Sequence, residues 1–411
     1  MIRVLHFADL HLGVENYGRL DPATGLSSRI GDFLNVFDTL VDYALREGMD
    51  LVLFAGDAFK TRTPSPTYQR EFARRIRRLA EGGPQVFLLV GNHDFPQVAG
   101  RAHTIEIFQT LDVPNVHVAH KTALVPIQTQ HGPVQIVALP WVVRSALLTR
   151  DANRSLNLDE INTLILRRLE EQLFTGDDAL VRQLDLDVPT ILAAHATVLG
   201  AKYGSERSVM LGNDLVLPTG LVQHRAFDYV ALGHIHKHQA IAENPPVVYS
   251  GSPERIDFGE EKEPKGFVVV ELQKGKADWR FVELPARRFV TIEVGADLPD
   301  PTAVVLAAIA RHDISQAVVR LAIRLTPPAE ALLDEGAIRK ALEPAFYVAA
   351  VAKEVERPSR LRLGGQETIA MLTPHQLLER YFQQRQTPPN RLEVLLRYAD
   401  ELFAESIDRR A

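Results

Sequence analysis

Six short apolar runs, Val4 to Ala8, Leu51 to Ala55, Val86 to Val90, Val134 to Leu139, Ile191 to Ala194 and Tyr229 to Leu232, each stop abruptly at polar residues. Runs that are apolar without alternation read as strands buried on both faces, and such strands belong to layered α/β folds. Between them, apolar residues recur three and four apart: Phe33, Val36, Phe37, Leu40, Val41 and Ala44, then Phe72, Ile76 and Leu79. A third such stripe, Ile161, Leu164, Ile165 and Leu169, lies within 158–174. This spacing predicts helices that cover the sheets. At 411 residues the chain exceeds one ordinary core, and roughly 150 residues per domain allows about three domains.

The rhythm changes after Gly251. Gly266 to Leu272 and Trp279 to Leu284 read as strands that close the first unit. A second unit follows as strand Phe289 to Val294, helix Pro301 to Arg311, strand Ala317 to Leu325, helix Pro328 to Leu342 and strand Phe346 to Val351. So small an α+β module is expected to lean on its larger neighbour. Pro358 and Gly364-Gly365 mark a linker. Thr373-Pro374-His375-Gln376 then supplies an N-cap, a first-turn proline and a capping-box glutamine, ahead of Leu377, Leu378, Tyr381 and Phe382 on one face. Pro388-Pro389 ends that helix. Asn390 and Glu393 are expected to cap a second, carrying Leu392, Leu395, Leu396, Ala399, Leu402 and Phe403. Two helices this short cannot bury both apolar faces alone, so the pair packs back on the body or binds a partner. The expected organisation is a main domain at 1–285, a small module at 286–355, a linker at 356–370 and a helix-loop-helix at 371–411.

Composition removes several functions. No apolar run approaches the ~18 residues of a membrane span. The start, Met1 to Asp9, lacks a secretory pattern, so a cytoplasmic protein is expected. Zero cysteines exclude disulfides, thiolate metal sites, iron–sulfur clusters and cysteine nucleophiles. No G-x-x-x-x-G-K-[ST] loop is present, so this chain is not expected to bind ATP that way. With 46 Lys and Arg against 52 Asp and Glu, the formal charge is −6. Attraction to nucleic acid would need a local patch or bound cations.

The polar residues at the strand ends carry the chemistry. Asp9 and His11 follow the first run, Asp57 the second, and Asn92, His93 and Asp94 the third, while His195, His234 and His236 follow the last two. Carboxyl ends of such strands share one edge of a sheet and form the usual site crevice. Gly56, Gly91 and Gly233 precede these residues where the chain must turn sharply. Taken alone, Asp57 reads as a turn residue, Asn92 as a turn former and His195 as a hydrogen-bonded core histidine. Together, nine polar groups in one crevice would cost several kcal/mol each if unpaired, and cations remove that cost. Setting His93 and Asp94 aside, two carboxylates, an amide oxygen and four imidazoles suit Mn²⁺ best, with Fe²⁺, Co²⁺ or Zn²⁺ as alternatives. Seven ligands are too many for one ion. Two ions ~3.5–4 Å apart, bridged by a carboxylate, would use them and leave room for water and a phosphate oxygen.

D-L-H at Asp9 to His11, G-D at Gly56-Asp57, G-N-H-D at Gly91 to Asp94, the His195 segment and G-H-I-H at Gly233 to His236 together resemble the calcineurin-like metallophosphoesterases. Phe7 to Gly13, the stretch Tyr249 to Arg255, the small module and the T-P-x-x-L-L tail resemble the SbcD-type double-strand-break repair nucleases. The resemblance implies an α/β layered sandwich of two sheets flanked by helices, with a small α+β capping domain that guides DNA and a C-terminal helix-loop-helix. It implies one metal on Asp9, His11, Asp57 and His236, and a second on Asp57, Asn92, His195 and His234. His93 matches the catalytic histidine and Asp94 its hydrogen-bonding partner. One departure is Lys60, where several relatives place a phosphate-contacting histidine; its charge could still meet a DNA backbone.

The resemblance further implies two Mn²⁺ per chain, 3′–5′ exonuclease and single-strand endonuclease activity, and association with the nucleoid. It implies an SMC-like ATPase partner of the SbcC type, clasped by Leu377, Leu378, Tyr381, Phe382, Leu395, Leu396, Leu402 and Phe403. A homodimer is expected through Phe72, Ile76 and Leu79 with Ile105, Phe108 and Leu111; folding of those stripes into the monomer core is the competing account. The basic run Arg70, Arg74, Arg75, Arg77 and Arg78 reads as a solvated helix face, with DNA contact as the alternative. Two other functions are weighed: a small-molecule phosphodiesterase or protein phosphatase, which the capping module and amphipathic tail argue against, and a non-catalytic scaffold that only recruits the ATPase, which the complete ligand set and His93 argue against.

Overall fold

A computed structural model describes residues 1–22, 25–96, 101–143, 156–204, 214–297, 299–355, 373–385 and 387–408. The expected linker at 356–370 lies outside the described residues. The strands are β1 (Ile2–Phe7), β2 (Leu51–Phe54), β3 (Gln85–Leu89), β4 (Val116–Ala119), β5 (Ala123–Thr129), β6 (Gly132–Leu139) and β7 (Thr190–His195). A two-stranded ribbon follows, β8 (Thr197–Val198) with β9 (Val216–Leu217). Then come β10 (Tyr229–Gly233), β11 (Gln239–Glu243), β12 (Pro246–Tyr249), β13 (Gly266–Gln273) and β14 (Lys276–Glu283), and finally β15 (Phe289–Gly295), β16 (Val318–Leu325) and β17 (Tyr347–Val355).

Two six-stranded sheets carry the fold, ordered β14-β13-β1-β2-β3-β4 and β11-β12-β10-β7-β6-β5. Their centres are parallel, as the continuous apolar runs require: β1 with β2, β2 with β3, β6 with β7 and β7 with β10. Successive side chains of one strand serve different cores. Val4, Leu51 and Leu53 face the second sheet, joining Ile136, Ile191 and Tyr229 between the sheets. Leu5, Phe7, Val52 and Phe54 point the other way, onto Phe33, Phe37, Phe72 and Ile76 of the helices Ser28–Arg46 and Pro66–Glu81. The helix Leu158–Glu170 covers the outer face of the second sheet through Ile161, Ile165 and Leu169. The result is a helix–sheet–sheet–helix sandwich, and β13, antiparallel to β1, and β14, antiparallel to β13, complete its first sheet.

The segment 289–355 is a parallel three-stranded unit with its own apolar core. The single helix expected from Pro328 to Leu342 is two, Pro327–Ala331 and Glu335–Ala341, because the Asp334 side chain accepts from Ala337 N and starts a new helix. This unit meets the sandwich through Arg287, which donates to Asp32 from two guanidinium nitrogens. Phe258 stacks edge-on against Phe289 and Tyr17.

The helix Pro374–Gln384 carries the expected capping box between Thr373 and Gln376. The second tail helix, Pro389–Asp408, begins one residue before Asn390; Pro388 accepts its first hydrogen bonds through its carbonyl, which leaves Asn390 inside the first turn. No described helix is long and apolar enough to cross a membrane.

Candidate metal centre

All nine strand-end residues are gathered at one end of the two sheets. Asp9 N donates to the Gly56 carbonyl at 2.9 Å, which joins the loops after β1 and β2. Asp9 in turn accepts from His234 N at 2.9 and 3.0 Å, which brings in the loop after β10. Asp57 Oδ1 accepts from His93 N at 2.8 Å, which adds the loop after β3. The glycines permit this closeness. A Cβ on Gly91 would stand 2.2 Å from Asp57 Oδ1, and one on Gly233 would stand 2.2 Å from the Ala55 carbonyl.

Three clusters place one ligand atom per residue within 4.8 Å of the others: Asp9, His11 and His236; His11, Asp57 and His93; Asp57, His195 and His234. Asp57 belongs to two of them. His11 Nε2 and His236 Nε2 lie 3.0 Å apart, and Asp57 Oδ2 is 3.7 Å from His11 Nε2 and 3.4 Å from His195 Nε2. Asn92 Oδ1 sits 2.9 Å from His195 Nε2 and 3.0 Å from His234 Nδ1.

The partners behind these rings reveal what the donor set is built for. His195 Nδ1–H donates to the Ala55 carbonyl at 2.7 Å, which turns Nε2 toward Asn92 and Asp57. His234 Nε2–H donates to Asp214 Oδ2 at 3.0 Å, so its Nδ1 presents a lone pair. Both inner ring nitrogens face the Asn92 oxygen beside the Asp57 carboxylate, a set of imidazole, amide and carboxylate atoms that one cation can share in exchange for the second His195 proton. With imidazoles from His11 and from His195 both converging on Asp57, the residues fit divalent cations that share its carboxylate. Four of them, Asp9, His11, Asp57 and His234, also adopt left-handed backbone with φ of 54°, 46°, 65° and 97°. For non-glycine residues this costs on the order of 1–3 kcal/mol each, and such strain clusters where geometry serves function.

Burial dominates the electrostatics. It pushes the Asp9 carboxyl up to about 6 and lowers His11 far below an ordinary imidazole. Burial also opposes a charged His195, but the Asp57 carboxylate beside it outweighs that and raises it to about 9. Asp57 is held well below the ordinary carboxylate range, its own burial outweighed by the surrounding imidazoles.

His93 lies beside His11 and Asp57, but its expected hydrogen bond to Asp94 is replaced. His93 Nδ1 lies 2.8 Å from the Lys60 carbonyl, and that carbonyl, not Asp94, orients the ring. The Asp94 carboxylate is buried and accepts from Asp57 N, Ala58 N, Gly91 N and Thr104 Oγ1, so it braces the loops that carry Asp57 and Asn92. The Lys60 side chain itself is exposed at the rim.

The expected dimer residues need correction. Phe72, Ile76, Leu79, Ile105 and Phe108 are buried in the monomer's own core and offer nothing to a partner. Only Leu111, 67% exposed, remains available, beside Ile107 at 51%. Arg70, Arg74, Arg75, Arg77 and Arg78 form ion pairs with Glu71, Asp38, Glu81 and Asp42, which offset most of the charge on that helix face. In the tail, Leu377, Leu378, Phe382, Leu395 and Leu396 are half-buried, and Tyr381 and Leu402 are exposed. The Phe403 side chain lies outside the described residues.

Sequence reasoning missed Glu260 and Asp214, which hold His236 and His234, and Trp141, whose ring centroid is 4.8 Å from that of His234. Glu260 sits in an acidic stretch, Glu260-Glu261-Lys262-Glu263, that reads as a solvated turn. Only the tertiary fold reveals its burial.

A sandwich with such a donor set at its strand ends defines a metal-dependent phosphoesterase. The calcineurin-like phosphoesterase family profile matches residues 2–238, and the chain belongs to that family. It is 28% identical to the SbcD subunit of the nuclease SbcCD from Escherichia coli strain K12 over 279 residues, covering 67% of this chain and 66% of that protein, just under two thirds of its length. It is 27% identical to the SbcD subunit from Rhodobacter capsulatus over 324 residues, with 75% and 76% covered. The SbcD subunit from Bacillus subtilis strain 168 is 28% identical over 291 residues, with 69% and 70% covered.

Proposed function

We propose that this chain is a Mn²⁺-dependent DNA nuclease, a 3′–5′ exonuclease on duplex ends and an endonuclease on single strands. It works in the cytoplasm as the nuclease subunit of an SbcC/SbcD-type double-strand-break repair complex. The observation that carries the reading is Asp57, shared between two donor clusters, with His11 Nε2 and His195 Nε2 at 3.7 and 3.4 Å from its Oδ2. Similarity to the SbcD subunits of SbcCD nucleases supports DNA as the substrate and an SbcC-type ATPase as the partner.

Two divalent cations, when bound, supply Lewis-acid polarisation of the phosphate and activation of water. Asp9, His11, Asp57 and His236 would hold one; Asp57, Asn92, His195 and His234 would hold the other. The remaining work falls to the chain's own groups. With Nδ1–H anchored on the Lys60 carbonyl, His93 turns Nε2 toward the site, where it stabilises the charged phosphorus centre and hands a proton to the leaving 3′ oxygen. Asp94 keeps the Asp57 and Asn92 loops in register. Against a chain of formal charge −6, the cations and the exposed Lys60 supply the attraction for a polyanion. The unit at 289–355 guides DNA as a cap, the tail helices clasp the ATPase, and two copies pair through a surface that includes Leu111.

The test is incubation of purified protein with Mn²⁺ and end-labelled duplex, hairpin and single-stranded DNA, with bis(p-nitrophenyl) phosphate in parallel. Chelator-sensitive degradation of all three DNAs is expected. Hydrolysis of the small ester with every DNA left intact would replace the nuclease by a small-molecule phosphodiesterase.

A further inference from the structure

Glu260 has no exposed surface, and a buried carboxylate is tolerated only with partners on both oxygens. Its Oε1 lies 2.8 Å from His236 Nδ1. Its Oε2 lies 2.8 Å from Lys265 Nζ and accepts from Ile256 N at 3.0 Å. Lys265 is equally buried, and its ammonium also donates to the His236 carbonyl at 3.2 Å and to Ser252 Oγ at 2.9 Å. The lysine thus grips His236 twice, at the backbone directly and at the ring through Glu260.

An ionised carboxylate can only accept, so His236 Nδ1 must carry the proton. The His236 Nε2 lone pair is then the one that faces His11 Nε2, 3.0 Å away, beside Asp9. We infer that Glu260, locked by Lys265, is a positioning residue that holds His236 as the Nδ1–H tautomer and so equips the Asp9/His11/His236 side of the centre to hold a cation. This rests on the two-cation reading above.

A plain structural staple is the competing account, and the geometry separates the two. A staple needs only the Glu260–Lys265 pair, yet here the second oxygen is directed at the ring of His236. The other side of the centre is held differently: His195 by a backbone carbonyl and His234 by Asp214. Loss of Glu260 therefore acts on one cation and spares the other. The adjacent Glu261 provides a control. Its carboxylate accepts from Thr291 N at 3.0 Å and Thr291 Oγ1 at 2.6 Å, tying the same turn to β15.

The Glu260→Gln change is informative because of Lys265. Lys265 Nζ and Ile256 N both donate toward one oxygen, which obliges the new amide to keep its oxygen there and turn its NH₂ to His236 Nδ1. That reverses the tautomer.

The experiment uses full-length protein with ¹⁵N-labelled histidine. In the metal-free wild type, imidazole ¹⁵N spectra should show His236 protonated at Nδ1; protonation at Nε2 overturns the inference, with no variant needed. Wild type, Glu260→Gln and Glu261→Ala are then titrated with Mn²⁺, with free ion followed by electron paramagnetic resonance. Two sites are expected in wild type and in Glu261→Ala. In Glu260→Gln one site should weaken by about 10–100-fold, the usual effect of losing such a partner, while the other holds. Unchanged affinities, or equal weakening of both sites, would overturn the proposal. Wild-type protein that takes up no Mn²⁺ would overturn the two-cation reading beneath it.

Discussion

The His93 ring hangs from the main chain of Lys60, Nδ1 to carbonyl oxygen at 2.8 Å, while its own backbone N–H donates to Asp57 at 2.8 Å. The residue is thereby fixed at both ends without its Nε2 being used. His93→Ala should retain both cations and lose about 10²–10⁴-fold in turnover, the usual contribution of a general acid–base group. Single-turnover cleavage with metal analysis on the same sample decides the matter; loss of an ion would make His93 a ligand.

Because Lys60 orients His93 through its carbonyl, Lys60→Ala leaves that support in place. Turnover at saturating DNA should stay within a few-fold of wild type, while the slope of log affinity against log salt falls by about 1 for the lost phosphate contact. A drop in turnover matching that of His93→Ala would place the lysine side chain in the chemistry.

Asp57 belongs to two of the three donor clusters. Asp57→Ala should therefore abolish uptake of both ions together, read by elemental analysis after dialysis against Mn²⁺. Retention of one full equivalent would show that the two sides are independent.

Gly91 has no room for a methyl group, since a Cβ there would meet Asp57 Oδ1 at 2.2 Å and Asp57 N at 2.5 Å. Gly91→Ala should cost about 1–3 kcal/mol by denaturant unfolding, as overpacking does, and should displace the bridging carboxylate. Wild-type stability with full metal uptake would contradict this packing.

Phe72 belongs to the monomer core and touches the rings of Phe37, Phe54, Phe59 and Phe108. Phe72→Ala should destabilise the fold by about 3–5 kcal/mol whatever the oligomeric state. Leu111→Asp should leave unfolding unchanged and yield monomer in sedimentation analysis; an intact dimer would move the pairing surface elsewhere.

The strands and the donor set are legible in the sequence because both are local facts. Fully buried parallel strands spell themselves as unbroken apolar runs, and strand-end ligands follow them within a few residues, so Asp9 to Asp94 and His195 to His236 can be read in order. The helix stripes are legible only as stripes. Phe72, Ile76 and Phe108 show the same period whether they face a core or a partner, and only the packing of Phe37 and Phe54 against them decides for the core. The left-handed backbone at Asp9, His11 and Asp57 has only a weak sequence signature, since Asp and His are merely enriched there. The resemblance makes Asp94 a partner of its neighbour His93, whereas a carboxylate on a tight turn more readily collects the backbone N–H groups around it. Glu260 reaches His236 across 24 residues, a distance over which no periodicity speaks.

The most direct test of the account is anomalous diffraction at the manganese edge from crystals grown with Mn²⁺. Two peaks about 3.5–4 Å apart are expected, with Asp57 between them, Asp9, His11 and His236 around one, and Asn92, His195 and His234 around the other. A single peak, or a pair that leaves Asp57 unshared, would contradict the two-cation centre on which the proposed function rests.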